Sequence, residues 1–449
     1  MIRALATLAI AVTFLPACGR TNLPCLPETC SGCCDAFDTC RPGAASDECG
    51  ASGSACVTCA SGATCQQGRC VGGSAGGGTA GGAPSGGGAA TGGGSAGGTA
   101  GGGVLSVSAR RVAPDVMLVV DRSGSMAQPL MPMDPACRMC MGGTCPPGCV
   151  TRGRQLQQSV SGFAAGVADV ARLGLVLFPS NASCGGPSAT AVPLPLGDDP
   201  SELQMHADAV TGQVRMATFG GGTPTSLALR FAAELPALSS DPAREHFVLL
   251  ITDGPPNCNP ANTNTCMAPN ACRCTIAGGG CAGANCVVGC LDRQATFDAV
   301  ALARSREIET LVVGVGPEVL TADSLDVFNG LAQAGGYPLA CPAGGLNECG
   351  GGNACLGDRT CERKFAADLP TGLARVGTIL RRSATCRYLL QVAVPDASAL
   401  EVKVNGLVVA PGPDGWQLEN ASTVRFQGSV CTVLSTPGST AQVTFALAR

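Results

Sequence analysis

A chain of 449 residues is long enough for two or three domains, and this one carries 64 glycines and 29 cysteines but only two histidines. Its formal net charge of −4 comes without a basic stripe, which excludes the electrostatic footprint of a nucleic-acid-binding protein.

The N-terminus reads as an export signal. Arg3 supplies a positive start, and Ala4 to Leu15 is apolar but too short to span a bilayer as a helix. The stretch ends Leu15-Pro16-Ala17-Cys18, which resembles a bacterial lipobox. On that resemblance residues 1–17 are a signal peptide and Cys18 is the lipidated first residue of the mature chain. An ordinary cleaved signal is the other reading. No later apolar run is long enough for a transmembrane helix, so membrane contact is expected through the N-terminal lipid alone. The expected place is the cell envelope, at the outer membrane or cell surface, or outside the cell if Cys18 carries no lipid.

Cysteine usage points to the same oxidising compartment. With Cys18 set aside, 28 cysteines remain, an even number. They fall in clusters at 25–70, 137–149, 258–290 and 341–361, with Cys184, Cys386 and Cys431 standing apart. Disulfides are the first reading. Zinc is the second, because Cys56-x-x-Cys59 and Cys137-x-x-Cys140 have ligand spacing. The 258–290 cluster holds seven cysteines, an odd number, and the other clusters are even. Parity therefore expects Cys184 to pair into that cluster.

Residues 18–71 form a small cysteine-rich module with almost nothing apolar to bury, so cross-links replace a core. The module loosely resembles cysteine-rich segments of bacterial surface lipoproteins; a stapled spacer and a binding module are both open. Residues 72–103 are nearly all Gly, Ala, Ser and Thr and read as a disordered tether. At the scaling of Gly-rich chains it spans roughly 30 Å.

From 113 to 384 strand and helix patterns alternate, which predicts a doubly wound, Rossmann-like α/β fold. The strand candidates are Val116–Val120, Leu173–Phe178, Phe247–Ile251 and Leu311–Val315, apolar enough for a parallel sheet covered on both faces. Leu156, Val160, Phe163, Val167 and Val170 mark one amphipathic helix, and Leu227, Phe231 and Leu235 another. Leu373, Val376 and Leu380 mark a last one, with Asp368 as its cap and Pro370 in its first turn. Three Gly-, Pro- and Cys-rich insertions interrupt the pattern, at 127–152, 255–290 and 338–363. Read as loops after strands, all three are expected at the carboxyl edge of the sheet, where ligands bind in open α/β folds.

The first strand ends in Asp121-Arg122-Ser123-Gly124-Ser125. This places a carboxylate and two hydroxyls, all hard oxygen donors, on one tight turn. Gly221-Gly222-Thr223-Pro224-Thr225 precedes a helix, and Ile251-Thr252-Asp253-Gly254 closes another strand. In motif, order and context the three resemble the metal-ion-dependent adhesion site of von Willebrand factor type A domains. The resemblance implies a Mg²⁺ centre, with Mn²⁺ as an alternative. Ser123 and Ser125 would coordinate directly, Thr223 directly or through water, and Asp121 and Asp253 through waters or hydrogen bonds to the serines. It also implies a protein partner, whose acidic side chain completes the coordination. Thr225 reads as a turn residue. Type A domains carry one short antiparallel edge strand, for which Ala191–Leu196 is the candidate.

After Cys386 the period changes to two, and residues 386–449 read as a small β-sandwich. Its strands are Leu389–Val394, Leu400–Val404, Trp416–Leu418, Val424–Phe426, Val430–Leu434 and Val443–Leu447, with a hairpin turn at Asn405-Gly406. A Cys386–Cys431 bridge would staple it.

No His-Glu-x-x-His, nucleophile elbow or phosphate loop occurs, and His206 and His246 read as surface residues. No general base is placed, so no enzyme is expected. Intracellular chelatase machines also use type A domains, but the export signal argues against that role. The favoured expectation is a monomeric, lipid-anchored, metal-dependent adhesion or protein-binding protein. The alternatives are a structural envelope or matrix component, in which the metal only stabilises the fold, and a non-catalytic subunit of a periplasmic complex.

Overall fold

The computed structural model describes residues 30–34, 40–46, 48–51, 54–56, 59, 64–66, 69–71, 105–140, 144–264, 266, 272–276, 280–341, 348–350, 352–436 and 438–447. The signal segment 1–17, Cys18 and the tether 72–103 lie outside them. The chain divides into two compact units, Met1–Thr99 and Ala100–Arg449. In the first, strands of two or three residues are joined by the disulfides Cys30–Cys40, Cys33–Cys56, Cys49–Cys65 and Cys59–Cys70.

The second unit is built on four apolar strands. Label the strands β1 (Leu105–Val107), β2 (Ala109–Arg111), β3 (Asp115–Asp121), β4 (Arg172–Phe178), β5 (His246–Thr252) and β6 (Ile308–Gly314). β3 to β6 form a parallel sheet in the order β6-β5-β3-β4. Helices cover both faces, as continuous apolar strands require. On one face lie α1 (Arg152–Val167), α2 (Pro200–Arg215) and α6 (Leu369–Cys386), which bury Leu156, Val210 and Val376 against Val116, Leu118 and Val120. On the other lie α3 (Thr225–Glu234), α4 (Arg293–Ser305) and α5 (Ala322–Ala334), which bury Leu229, Val300 and Phe328 against Met117 and Val119. The Asp368 carboxylate caps α6 by accepting from Thr371 N–H at 3.0 Å. In α3 the buried face is Ala228, Leu229 and Ala232, not the Leu227, Phe231, Leu235 stripe, whose members are only half buried.

Ala191–Leu196 forms no edge strand. It makes a single antiparallel bridge, Leu175 to Val192, because Pro193 and Pro195 have no N–H to extend a ladder. The insertions also divide differently from expectation. Those at 127–152 and 255–290 follow β3 and β5 and leave at the carboxyl edge. The one at 338–363 follows a helix, α5, and interrupts a would-be edge strand: Gly336 bridges Thr310 and Ala366 bridges Val313, both parallel to β6. At its start Tyr337 stacks edge-on against Phe247, near the amino end of β5, with ring centroids 5.7 Å apart. It departs from the flank of the sheet, beside β6, and not from the carboxyl edge.

The amino edge of the sheet holds a buried ionic network. Asp115 opens β3 and pairs with Arg172 of β4 at 2.9 Å and with His246 of β5 at 3.1 Å. His246 is therefore buried, not a surface residue. His206 lies on α2, half buried, with Nδ1 2.9 Å from the Pro193 carbonyl. Arg244 bridges Asp198 and Asp241, and Arg110 of β2 joins at Asp198.

The remaining strands are β7 (Arg387–Leu390), β8 (Leu400–Val404), β9 (Leu407–Val409), β10 (Trp416–Asn420), β11 (Thr423–Phe426) and β12 (Val443–Leu447). They form two antiparallel four-stranded sheets, β10-β11-β7-β2 and β9-β8-β12-β1. Both sheets recruit a strand from ahead of β3, so the α/β domain is inserted in the sandwich. Asn405 and Gly406, both at positive φ, turn the β8–β9 hairpin. Val430–Leu434 is helical, within α7 (Gly428–Ser435): Cys431 and Leu434, three apart, bury one face. Cys431 is disulfide-bonded to Cys386 at the end of α6. The structure also pairs Cys184 with Cys258. Cys137, Cys140 and Cys149 lie close enough for a metal, but Cys137–Cys149 and Cys140–Cys145 are disulfides, as are the two pairs at 341–361.

Deleting residues 105–111 is expected to destabilise the sandwich, since Val107 is buried against Phe445 and β2 pairs with β7. Loss of the Val107 burial alone amounts to about 2 kcal/mol. The single tryptophan, Trp416, is buried in that core and reports it: the urea midpoint followed by its fluorescence should fall. An unchanged midpoint would show that β1 and β2 are dispensable.

Candidate metal centre

Adjacent parallel strands β3 and β5 run in register, with Val120 opposite Ile251. Their ends deliver Asp121 and Asp253 side by side at the carboxyl edge. Asp121 is buried; one oxygen accepts from Ser123 N–H at 2.7 Å and the other from the Thr252 hydroxyl at 2.6 Å. The first bond folds the turn back so that Ser123 and Ser125 hydroxyls lie 2.9 Å apart. Ser125 then donates to Asp253 at 2.8 Å. Asp121, Ser123, Ser125 and Asp253 thus share one hydrogen-bonded cluster.

Thr223 arrives by backbone contacts. Gly124 N–H donates to Gly221 O and Gly220 N–H to Arg122 O, both at 2.9 Å, which lays the glycine loop on the serine turn. Gly221 takes φ +83°, open to glycine, and a Cβ there would strike the Ser183 carbonyl. Asn257 grips Thr223 on both sides, accepting from its N–H at 2.7 Å and donating to its carbonyl at 2.9 Å. Among the described residues, Thr223 bonds through its backbone alone, leaving the hydroxyl uncommitted. Thr225, read from the sequence as a turn residue, is instead the first residue of α3; its N–H donates to the Thr223 carbonyl at 2.8 Å. The Cys184–Cys258 bridge sits over this loop, and a Cβ on Gly222 would meet the Cys258 sulfur.

The electrostatics of the cluster are unusual. Burial, and then the neighbouring Asp253, push the Asp121 carboxyl up to about 7. Asp253 is also raised, chiefly by burial, against the opposing pull of Arg152. Arg152 is the first residue of α1, yet it is buried; one guanidinium nitrogen bonds Asp253 at 2.8 Å and another pairs with Glu318. Two buried carboxylates and three hydroxyls are hard oxygen donors, as Mg²⁺ and Mn²⁺ require, and the strain of holding two negative charges out of water is what a cation relieves. The residues fit such an ion.

Arg152, Thr252 and Asn257 were not evident as site residues from the sequence. Thr252 stands beside Asp253 in the motif, and its role could have been inferred from strand alternation. Arg152 and Asn257 reach the site only through long-range packing.

No protein-family profile and no curated protein matches this chain. Among solved structures, the pilus adhesin SpaC of Lactobacillus rhamnosus GG is 16% identical, over 75% of this chain and 39% of that one, with a TM-score of 0.38. The manganese-loaded TRAP protein of Plasmodium vivax is 14% identical, over 72% and 98% of the two chains, with a TM-score of 0.35. A von Willebrand factor type A protein from Catenulispora acidiphila is 13% identical, over 77% and 61%, with a TM-score of 0.31. The chain spans about two fifths of the length of the SpaC chain it matches. Likenesses this distant assign the chain neither a partner nor an activity.

A carboxyl raised to about 7 holds its proton more tightly in the folded than in the unfolded chain. Its stabilising contribution is therefore full below about pH 4 and lost as the pH rises through about 7. In EDTA the melting temperature should fall between about pH 5 and pH 8, and Asp121→Asn should flatten that fall. Excess Mg²⁺ should oppose it, since the ion binds the deprotonated form. Scanning fluorimetry across pH checks all three; a metal-free melting temperature that rises over this interval contradicts the assignment.

Proposed function

We propose that residues 113–384 are a von Willebrand factor type A domain holding a divalent cation, and that the protein is an exported, metal-dependent adhesion or protein-binding protein. The observation that carries this reading is the hydrogen-bonded cluster of Asp121, Ser123, Ser125 and Asp253 at the carboxyl edge, with Thr223 brought alongside.

In this reading Ser123, Ser125 and Thr223 present the coordinating hydroxyls. Asp121 and Asp253 orient them and supply the negative charge. A cation bound there, Mg²⁺ or Mn²⁺, provides an electrophilic centre for a carboxylate. An acidic side chain of a protein partner is the ligand we propose for it. The surface around the site is made by the 127–152 and 255–290 insertions, the first of which carries Met131, Met133 and Met139 exposed. Methionine adapts to varied partners.

We further propose cleavage after residue 17, lipid attachment at Cys18, a folded cysteine-rich module over 18–71, a tether over 72–103 and, in a monomeric surface protein, a small β-rich domain of residues 386–449 completed by the strands of 105–111. No helix among the described residues is long and apolar enough to cross a membrane. Mass spectrometry of the mature N-terminus should find Cys18 acylated; an unmodified Cys18 or a start elsewhere removes the anchor from the proposal.

Asp121→Ala should weaken Mn²⁺ binding by about 10–100-fold, the usual effect of losing a residue that orients metal ligands. The fold should persist, because the sheet does not depend on that carboxylate. Calorimetric titration with Mn²⁺ and circular dichroism test both halves. Wild-type protein that binds no divalent cation would overturn the reading.

A further inference from the structure

Arg152 is placed against expectation. It opens α1, where the helix dipole disfavours a cation, and it is only 2% exposed. Among the described residues its Nε has no hydrogen-bond partner, an unsatisfied buried group of the kind folded proteins seldom keep. Gly316, at φ +80°, leaves room for the side chain; a Cβ there would lie 2.9 Å from Nε. The position is therefore built around a buried guanidinium whose partners are Asp253 and Glu318.

Its effect comes from charge. Both oxygens of Asp253 are engaged, one by Ser125 and one by Arg152. Asp121 and Asp253 bring two negative charges to the centre, and Arg152 returns one positive charge. Glu318 is 43% exposed, so solvent screens its charge in part and it offsets that of Arg152 incompletely. A divalent ion in this setting keeps net positive charge and gains most from an anionic ligand.

We infer that Arg152 is the built-in counter-charge of the metal centre: it fixes Asp253 beside Ser125 and keeps the bound ion electropositive, so that the site selects a carboxylate-bearing partner over a neutral one. This rests on the proposed metal site. Arg152 is a positioning and charge-setting residue in this scheme, and Glu318 moderates it.

The test uses Mn²⁺ as the metal and acetate as the carboxylate, on the whole protein. Affinity for Mn²⁺ is read by calorimetry, and acetate binding by the loss of water-proton relaxation at the protein-bound ion. Arg152→Met should tighten Mn²⁺ binding roughly tenfold, the order of effect of removing one nearby unit charge from a divalent ion in a water-like dielectric, and should weaken acetate binding. Arg152→Lys, which keeps the charge, should stay close to wild type in both. Glu318→Gln should do the opposite of Arg152→Met, weakening Mn²⁺ and strengthening acetate. Because Glu318 is half exposed, that variant also keeps the test open if Arg152→Met fails to fold. If orientation alone mattered, Arg152→Met and Arg152→Lys would both weaken Mn²⁺, and the inference would fail. It also fails if Glu318→Gln leaves both affinities unchanged. Absence of Mn²⁺ binding by the wild type would instead overturn the underlying site, and the inference with it.

Discussion

Two carboxylates end adjacent parallel strands, and among the described residues one guanidinium, that of Arg152, pairs with one of them, Asp253. Parallel register fixes this arrangement: once β3 and β5 pair along their length, Asp121 and Asp253 cannot be moved apart without slipping the sheet by a residue and turning every buried side chain to the other face. The apolar core on both faces forbids that slip. The hydrogen bonds of the serine turn, the lie of the glycine loop and the burial of Arg152 are local answers to that enforced proximity.

The two edges of the sheet resolve the same problem differently. At the amino edge Asp115 is buried too, but Arg172 and His246 meet it directly, and Asp198 is shared by Arg110, Arg172 and Arg244. That network contains its own cations and ties strand starts to β2 of the sandwich. At the carboxyl edge, among the described residues, one arginine pairs with one of two buried acids, Asp253, and the other polar partners are hydroxyls and a backbone N–H. One edge is closed on itself electrostatically; the other calls for a charge from outside. This difference, more than depth or shape, separates the structural cluster from the candidate site.

The four sheet strands were legible in the sequence because each is a continuous apolar run, which few other contexts tolerate. Asp121, Ser123, Ser125, Thr223 and Asp253 were legible because they sit at strand ends in fixed local patterns. Arg152 was not: nothing local distinguishes a buried arginine at a helix start from an exposed one, and its partners, Asp253 and Glu318, lie far along the chain. β1 and β2 were too short to carry a period. Val430–Leu434 is so short that a buried helix turn and a strand share one apolar pattern. The insertion at 338–363 misled because its glycine and cysteine content matches the other two, while its position depends on a strand that it interrupts.

The insertion of the α/β domain into the sandwich has a mechanical side. From β1 the chain passes through β2 directly into β3, the strand that ends in the Asp121 turn. A pull applied between residue 105 and a partner held at that turn would run along the backbone of a central strand. β3 is flanked by parallel neighbours, β5 and β4, paired to it along nearly its whole length. Their hydrogen bonds lie across the direction of load, so they resist in shear and must break together, whereas a hairpin peeled from its end yields one bond at a time. The short strands β1 and β2, at the edges of their sheets, would be loaded first. A shear-loaded centre behind a weaker outer joint is the arrangement of a tether that gives before its grip does.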